Sequence, residues 1–265
     1  MLKDITLGQY FPGDTVVHKL DPRTKILLVI VYIVALFEAK GWIGYGVMTL
    51  VTILCSAISR IHPKHIFKGL KPMIFLIVFT AALNIFYTTG TPVLPGWPIT
   101  WEGIERAVKM ILRIILLITG TFLLTYTTSP MALTDGMERL LSPLKKIGLP
   151  IHEMTLMMSM ALRFIPTLIE ETDKIMSAQK ARGADFENGN LIQRAKALLP
   201  ILVPLFVSSF RRADDLAVAM ESRCYHGGGG RTRMKQLRFA LRDLWAFLLG
   251  AALLAGMLIL KRYSL

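Results

Sequence analysis

The chain has few cysteines, few acidic residues and no recognisable set of catalytic groups. Its two cysteines, Cys55 and Cys224, fall in a hydrophobic segment and in a polar helix end, so no disulfide is expected between them. No nucleophile stands with a histidine, no acid is paired with a base, and no cofactor fingerprint is present, so catalysis by this chain alone is not expected. The run Gly227 to Gly230 follows no strand and precedes no Gly-Lys-Ser/Thr, which makes it a linker rather than a phosphate loop. His62 and His65 stand three apart, but Pro63 lies between them and no cysteine or carboxylate is near; a headgroup-facing loop is expected rather than a metal site. The N-terminus does not read as a cleaved signal peptide. Acidic residues number 18 against 31 Lys and Arg, a formal net charge of +13. The basic residues flank hydrophobic segments and no aromatic-rich basic groove accompanies them, which argues against nucleic acid and for a membrane surface.

Apolar residues, by contrast, are plentiful. They make up 53% of the chain, and the mean hydropathy is +0.51. That excludes an ordinary soluble domain and gives an all-α integral membrane protein with a cytoplasmic-side extension. Three segments are expected: 1–128, a polar lead-in and four transmembrane helices; 129–226, three long cytoplasmic helices; and 227–265, the glycine joint and a fifth transmembrane helix.

In the lead-in, Asp21 is placed to cap a helix whose first position is Pro22. The first span, 26–37, is short for a hydrocarbon core of roughly 30 Å and is expected to gain length by snorkelling of Lys25. Further spans are expected at 43–58, 73–87, 111–126 and 244–260. The basic stretch 60–71 reads as a cytoplasmic loop, and Trp97 and Trp101 as outer-interface residues. These placements put the N-terminus inside and the C-terminus outside, with Lys261 and Arg262 mildly against the charge bias. Arg113 would be unfavourable by roughly 2.5–3.5 kcal/mol at a bilayer centre, so it is expected to snorkel outward; a transport-path role is the other reading.

The stretch from Ser129 to His226 is too apolar for a solvated loop and too charged to cross a bilayer. It reads as helices over 131–147, 151–182 and 191–223, broken at Gly148-Leu149-Pro150 and between Gly183 and Asn190. The second would extend roughly 48 Å. Pro166, Pro200 and Pro204 are expected to bend the last two. Glu170, Glu171 and Asp173 cluster on the second helix, where Lys174 balances them. Met154, Met157, Met158 and Met160 give that helix a soft, repackable surface. On the third, Phe206, Phe210, Ala213, Ala217, Met220 and Cys224 form a narrow apolar seam, expected to pack on the second.

The second and third helices each close on an arginine between small residues: Ala181-Arg182-Gly183 and Ser222-Arg223-Cys224. A single such arginine would be read as complementing a helix dipole. Two of them favour docking into a partner's acidic groove, since small neighbours allow close approach and the guanidinium fork fixes orientation.

These tips resemble the paired Ala-Arg-Gly motifs of the energy-coupling factor transporter T component, the transmembrane scaffold of a class of ABC-type importers. The segments Gly8-Gln9-Tyr10, Pro12-Gly13-Asp14 and His18 to Lys25 are similar to that family's N-terminal region, and the likeness in layout covers essentially the whole chain. The first tip matches in full; the second keeps Arg223 but has Ser222 and Cys224 for alanine and glycine. The resemblance implies a non-catalytic scaffold in a bacterial or archaeal plasma membrane. It implies two ATPase subunits docked at the tips, with ATP-Mg bound by them and no cofactor on this chain. It further implies one substrate-binding membrane subunit held by the long helices, with Met154, Met157, Met158 and Met160 as contact residues, for uptake of vitamins or other micronutrients. A dedicated cobalt or nickel importer scaffold and a self-contained carrier, with Asn84 and Arg113 as its polar candidates, are the alternatives.

Overall fold

The computed structural model describes residues 10–92, 99–184, 186, 190–227 and 237–262; of 191 and 193–195 only the backbone is described. Among these residues the chain is all-helical: α1 (Pro22–Glu38), α2 (Trp42–Ile58), α3 (Pro63–Leu70), α4 (Ile74–Tyr87), α5 (Trp101–Thr127), α6 (Pro130–Leu141), α7 (Ile151–Ala181), α8 (Leu191–Glu221) and α9 (Leu241–Arg262). Single 3-10 segments join α3 to α4 (Lys71–Met73) and follow α6 (Ser142–Ile147). The chain divides into two compact units. One holds the described residues of 10–140 and 237–262; the other holds those of 141–227.

The first unit is a bundle built on α5, against which α1, α2, α3 and α4 all pack, while α9 packs on α1. Its core gathers Ala35, Leu36 and Ala39 of the α1 end, Tyr45 and Met48 of α2, Leu116 of α5 and Met257 of α9. Small residues set the closest approach. A Cβ on Gly120 would stand 2.4 Å from the Tyr32 ring, and that ring's hydroxyl bonds Thr52 Oγ1 at 2.7 Å and donates to the Leu116 carbonyl at 3.0 Å.

The α1 start forms as its sequence predicts. Asp21 accepts from the Arg23 amide at 2.9 Å and Pro22 opens the helix. The charges there do not face lipid, however. Lys25, expected to snorkel, is 5% exposed and donates to the carbonyls of His18 (3.1 Å) and Thr127 (2.8 Å) and to Thr128 Oγ1 (3.2 Å). Asp243, 2% exposed, accepts from the Asp21 and Ala240 amides at 2.9 and 2.8 Å. At the other end Lys261 pairs with Glu38. Because Asp21 meets Asp243 near the starts of α1 and α9, and Glu38 meets Lys261 at their ends, the two helices run parallel.

Three stretches among the described residues are long and apolar enough to cross a membrane: Pro63–Tyr87, Trp101–Thr127 and Leu241–Arg262. The first corrects the loop expected at 60–71. Pro63 costs nothing at a first helical position, so it starts α3 instead of marking a loop. Arg113 Nη2 donates to the Ala39 carbonyl at 3.4 Å, with its guanidinium 5.6 and 5.7 Å from the Phe37 and Tyr45 rings. It reaches the end of α1, where a cation complements the helix dipole. Trp97 lies outside the described residues.

The second unit is the pair α7 and α8, each of 31 residues and so roughly 46 Å long. Glu171 pairs with Arg212, Gln179 reaches Pro200, and His152 lies 3.5 Å from the Tyr225 hydroxyl. Rising numbers on one helix meet falling numbers on the other, so the pair is antiparallel. Both helices continue through their prolines. Pro204 has no N–H for the Pro200 carbonyl one turn back; the Gln179 side-chain amide approaches that carbonyl at 3.5 Å. The expected helix over 131–147 is shorter: Pro143 tightens the chain to a 3-10 segment after Leu141, ending at Gly148 with φ +86°.

The apolar seam is a further correction. Phe206 and Phe210 are 62% and 67% exposed, and Ala213, Ala217 and Cys224 are exposed too. The less exposed face of α8 carries Ile201, Leu205, Ser209, Arg212 and Leu216, and it is there that Arg212 meets Glu171.

Candidate functional site

The two arginine tips share one backbone design. In the first, the Ala184 amide donates to the Gln179 carbonyl and the Gly183 amide to the Lys180 carbonyl, both at 3.0 Å. In the second, the Tyr225 amide donates to the Met220 carbonyl at 3.0 Å and the Cys224 amide to the Glu221 carbonyl at 2.8 Å. Both are Schellman closures, in which a left-handed residue after the cap turns two amides back onto the last carbonyls. The left-handed residue is Gly183 (φ +87°) in one and Cys224 (φ +56°) in the other. The arginine occupies the same place in each, the capping position.

Sequence reasoning found the arginines but not this closure. Glycine after Arg182 was a readable signal for it; Cys224 gave none, because a side chain is disfavoured there by roughly 1–2 kcal/mol. The second tip therefore keeps its shape despite its residue.

Arg182 and Arg223 are both exposed, as are Ala181, Gly183, Ser222 and Cys224, and neither arginine forms an ion pair among the described residues. Ser222 is held by its own helix, Oγ donating to the Ala219 carbonyl at 3.0 Å. Cys55 and Cys224 are free thiols. The antiparallel pairing puts Arg182 at one end of the α7–α8 unit and Arg223 at the other, beside the start of α7. About one helix length separates them, roughly 46 Å. Met154, Met157 and Met158 are about half exposed or more on α7, while Met160 is half-buried.

In the bundle unit, a cleft of about 730 Å³ lies between residues 11–18 and the turn from α2 into α3, with His18, Arg60, His62 and His65 on its walls. Two of these histidines, His18 and His65, have structural contacts. His18 bonds Thr15 Oγ1 at 2.7 Å and the Phe11 carbonyl at 3.1 Å, and burial holds its imidazole below the ordinary histidine range. The His65 ring lies 4.5 Å from that of Phe11. No cluster of metal-ligating side chains occurs among the described residues.

An all-helical chain with several apolar helices of this length is a polytopic membrane protein. A family model described as cobalt transport protein matches residues 13–235. The energy-coupling factor transporter transmembrane protein EcfT of Clostridium kluyveri is 58% identical over 252 residues, 94% of this chain and 93% of that one. The protein of the same name from Thermosediminibacter oceani is 54% identical over 257 residues, 96% and 97% of the two chains. That of Lactococcus lactis subsp. cremoris is 48% identical over 245 residues, 91% and 92%. The chain belongs to this family, the transmembrane T components of energy-coupling factor transporters.

Proposed function

We propose that the chain is the scaffold through which two ABC-type ATPase subunits drive a substrate-binding membrane subunit. The observation that carries this reading is the placement of two equivalent, exposed arginine caps at opposite ends of one antiparallel helix pair. Tips roughly 46 Å apart suit one partner each better than a single shared groove. Ala181, Arg182 and Gly183 form one docking tip, and Ser222, Arg223 and Cys224 the other. ATP-Mg belongs to the partners; this chain binds no cofactor and performs no catalysis. Movement of the ATPases is carried along α7 and α8 to the membrane, where the exposed Met154, Met157 and Met158, with Met160 beside them, meet the substrate-binding subunit. Methionine suits that role because its flexible thioether repacks against different partners.

Five spans are proposed: α1, α2, the α3–α4 rod, α5 and α9, with α6, α7 and α8 on the cytoplasmic side. The parallel course of α1 and α9 supports an odd number. The basic residues of 60–71 put the N-terminus inside and the C-terminus outside the plasma membrane. In sequence terms the mounting is 1–128, the coupling segment 129–226, and the return to the membrane 227–265. The cargo is a vitamin or another micronutrient. The alternative is a dedicated cobalt or nickel importer scaffold, cobalt being the cargo in the family model's description.

Uptake of the transporter's cargo by cells carrying Arg182→Glu together with Arg223→Glu tests the reading. The double variant should insert in the membrane normally and transport nothing. Normal uptake at matched expression would reduce the tips to ordinary helix ends.

A further inference from the structure

The basic face of α3 serves the scaffold reading only as an orientation signal. No Asp or Glu occurs between Glu38 and Glu102, yet this stretch contains Arg60, Lys64, Lys68 and Lys71. α3 leans on α5 so closely that a Cβ on Gly69 would stand 2.3 Å from the Phe122 ring. Ile66 and Leu70 are half-buried on that side. The opposite side carries Lys64, Phe67, Lys68 and Lys71 at steps of three, one and three, all exposed, with Phe67 71% exposed. These positions form one stripe on the helix. None of the three lysines forms an ion pair among the described residues.

This stripe opens a continuous 25-residue apolar stretch, Pro63–Tyr87. Three ammonium groups at mid-membrane would each be disfavoured roughly a hundredfold on insertion scales. They therefore belong at the headgroup level, where long lysine stems let the charges reach phosphate while Phe67 turns toward the acyl chains. α4 itself has no buried residue and packs on α5, so most of the rod's remaining surface is left for lipid.

We propose that Lys64, Lys68 and Lys71, with Arg60 just ahead of them, form a site for the phosphate headgroup of an anionic phospholipid, with Phe67 seated in its acyl region. The lipid neutralises the stripe at the headgroup level. The proposed cytoplasmic orientation determines only which leaflet supplies it.

The test uses the full chain alone in detergent, with phosphatidylglycerol and phosphatidylcholine added in equal amounts and retained lipid counted by native mass spectrometry. No ATPase or substrate subunit is present, so the result is independent of the scaffold reading. The protein should retain phosphatidylglycerol over phosphatidylcholine by tenfold or more. Each lysine can contribute up to about fivefold at low salt. The variant Lys64→Gln/Lys68→Gln/Lys71→Gln should lose most of that preference, and the triple Lys→Arg variant should keep it; unchanged helicity and elution would show that both fold. Millimolar glycerol 3-phosphate should not displace the lipid. Equal retention of the two lipids, an unchanged preference in the glutamine variant, or ready displacement by glycerol 3-phosphate would each overturn the assignment to a lipid.

Discussion

Two sets of charged residues, one in each unit, do opposite things. In the bundle, Asp21, Lys25 and Asp243 are almost fully buried: the Asp21 carboxylate pairs with Arg23, Lys25 donates to Thr127 and Thr128, and Asp243 accepts from the Asp21 amide. In the α7–α8 pair, Arg182 and Arg223 stand exposed at the helix ends with no ion pair among the described residues. A buried charge that loses its partners is unfavourable by several kcal/mol, so the bundle charges hold the fold. An exposed arginine gains only tenths of a kcal/mol from its own helix dipole, so the fold gains little from the tips.

That contrast breaks first at Asp243. Asp243→Ala strands the Asp21 and Ala240 amides and leaves the start of α1 and the start of α9 without their shared carboxylate. It should lower stability by about 3 kcal/mol or more in a detergent unfolding assay. If Asp243→Ala unfolds like the parent, the buried network is not what fastens the two helices.

The tips should behave in the other way. Arg182→Glu or Arg223→Glu should leave the unfolding transition unchanged and weaken ATPase binding by about 2 kcal/mol or more, roughly thirtyfold. Arg182 should matter at least as much as Arg223. A shifted unfolding transition with intact binding would assign the arginines to the fold and erase the difference between the units.

Smaller effects separate the tips from each other. Gly183→Val forces a β-branched residue to φ +87° and should destabilise the end of α7 by about 1–2 kcal/mol. The readout is faster amide exchange at Gly183 and Ala184. Cys224→Gly should do the reverse, slowing exchange at Cys224 and Tyr225 by an amount worth about 0.5–1 kcal/mol. Equal exchange in the Cys224→Gly and parent proteins would mean that the second tip is not held against its residue preference.

Much of this was legible in the sequence because it depends on local chemistry. Asp21 and Pro22 announced the start of α1, and the ends of α7 and α8 fell within two residues of the expected positions because glycine and small polar residues stop helices for local reasons. What failed depended on surroundings. The stripe of Phe206, Phe210, Ala213 and Ala217 correctly marks an apolar face, but periodicity does not say what covers it, and α7 instead meets the face bearing Arg212. Lys25 was expected to snorkel because a charge at the end of an apolar helix suggests it. A carbonyl from a segment distant in sequence, that of Thr127, receives it instead. At α3 the proline and the charges read as a loop, although the same residues suit a first helical turn at an interface.

The central claim is that each arginine tip docks its own ATPase, and co-purification stoichiometry tests it most directly. The complex should be extracted from membranes through a tag on this chain, with the parent, each single arginine-to-glutamate variant and the double variant compared at equal recovery. The parent should carry two ATPase subunits per chain, each single variant fewer, and the double variant none. Two ATPase subunits retained by the double variant would contradict the account.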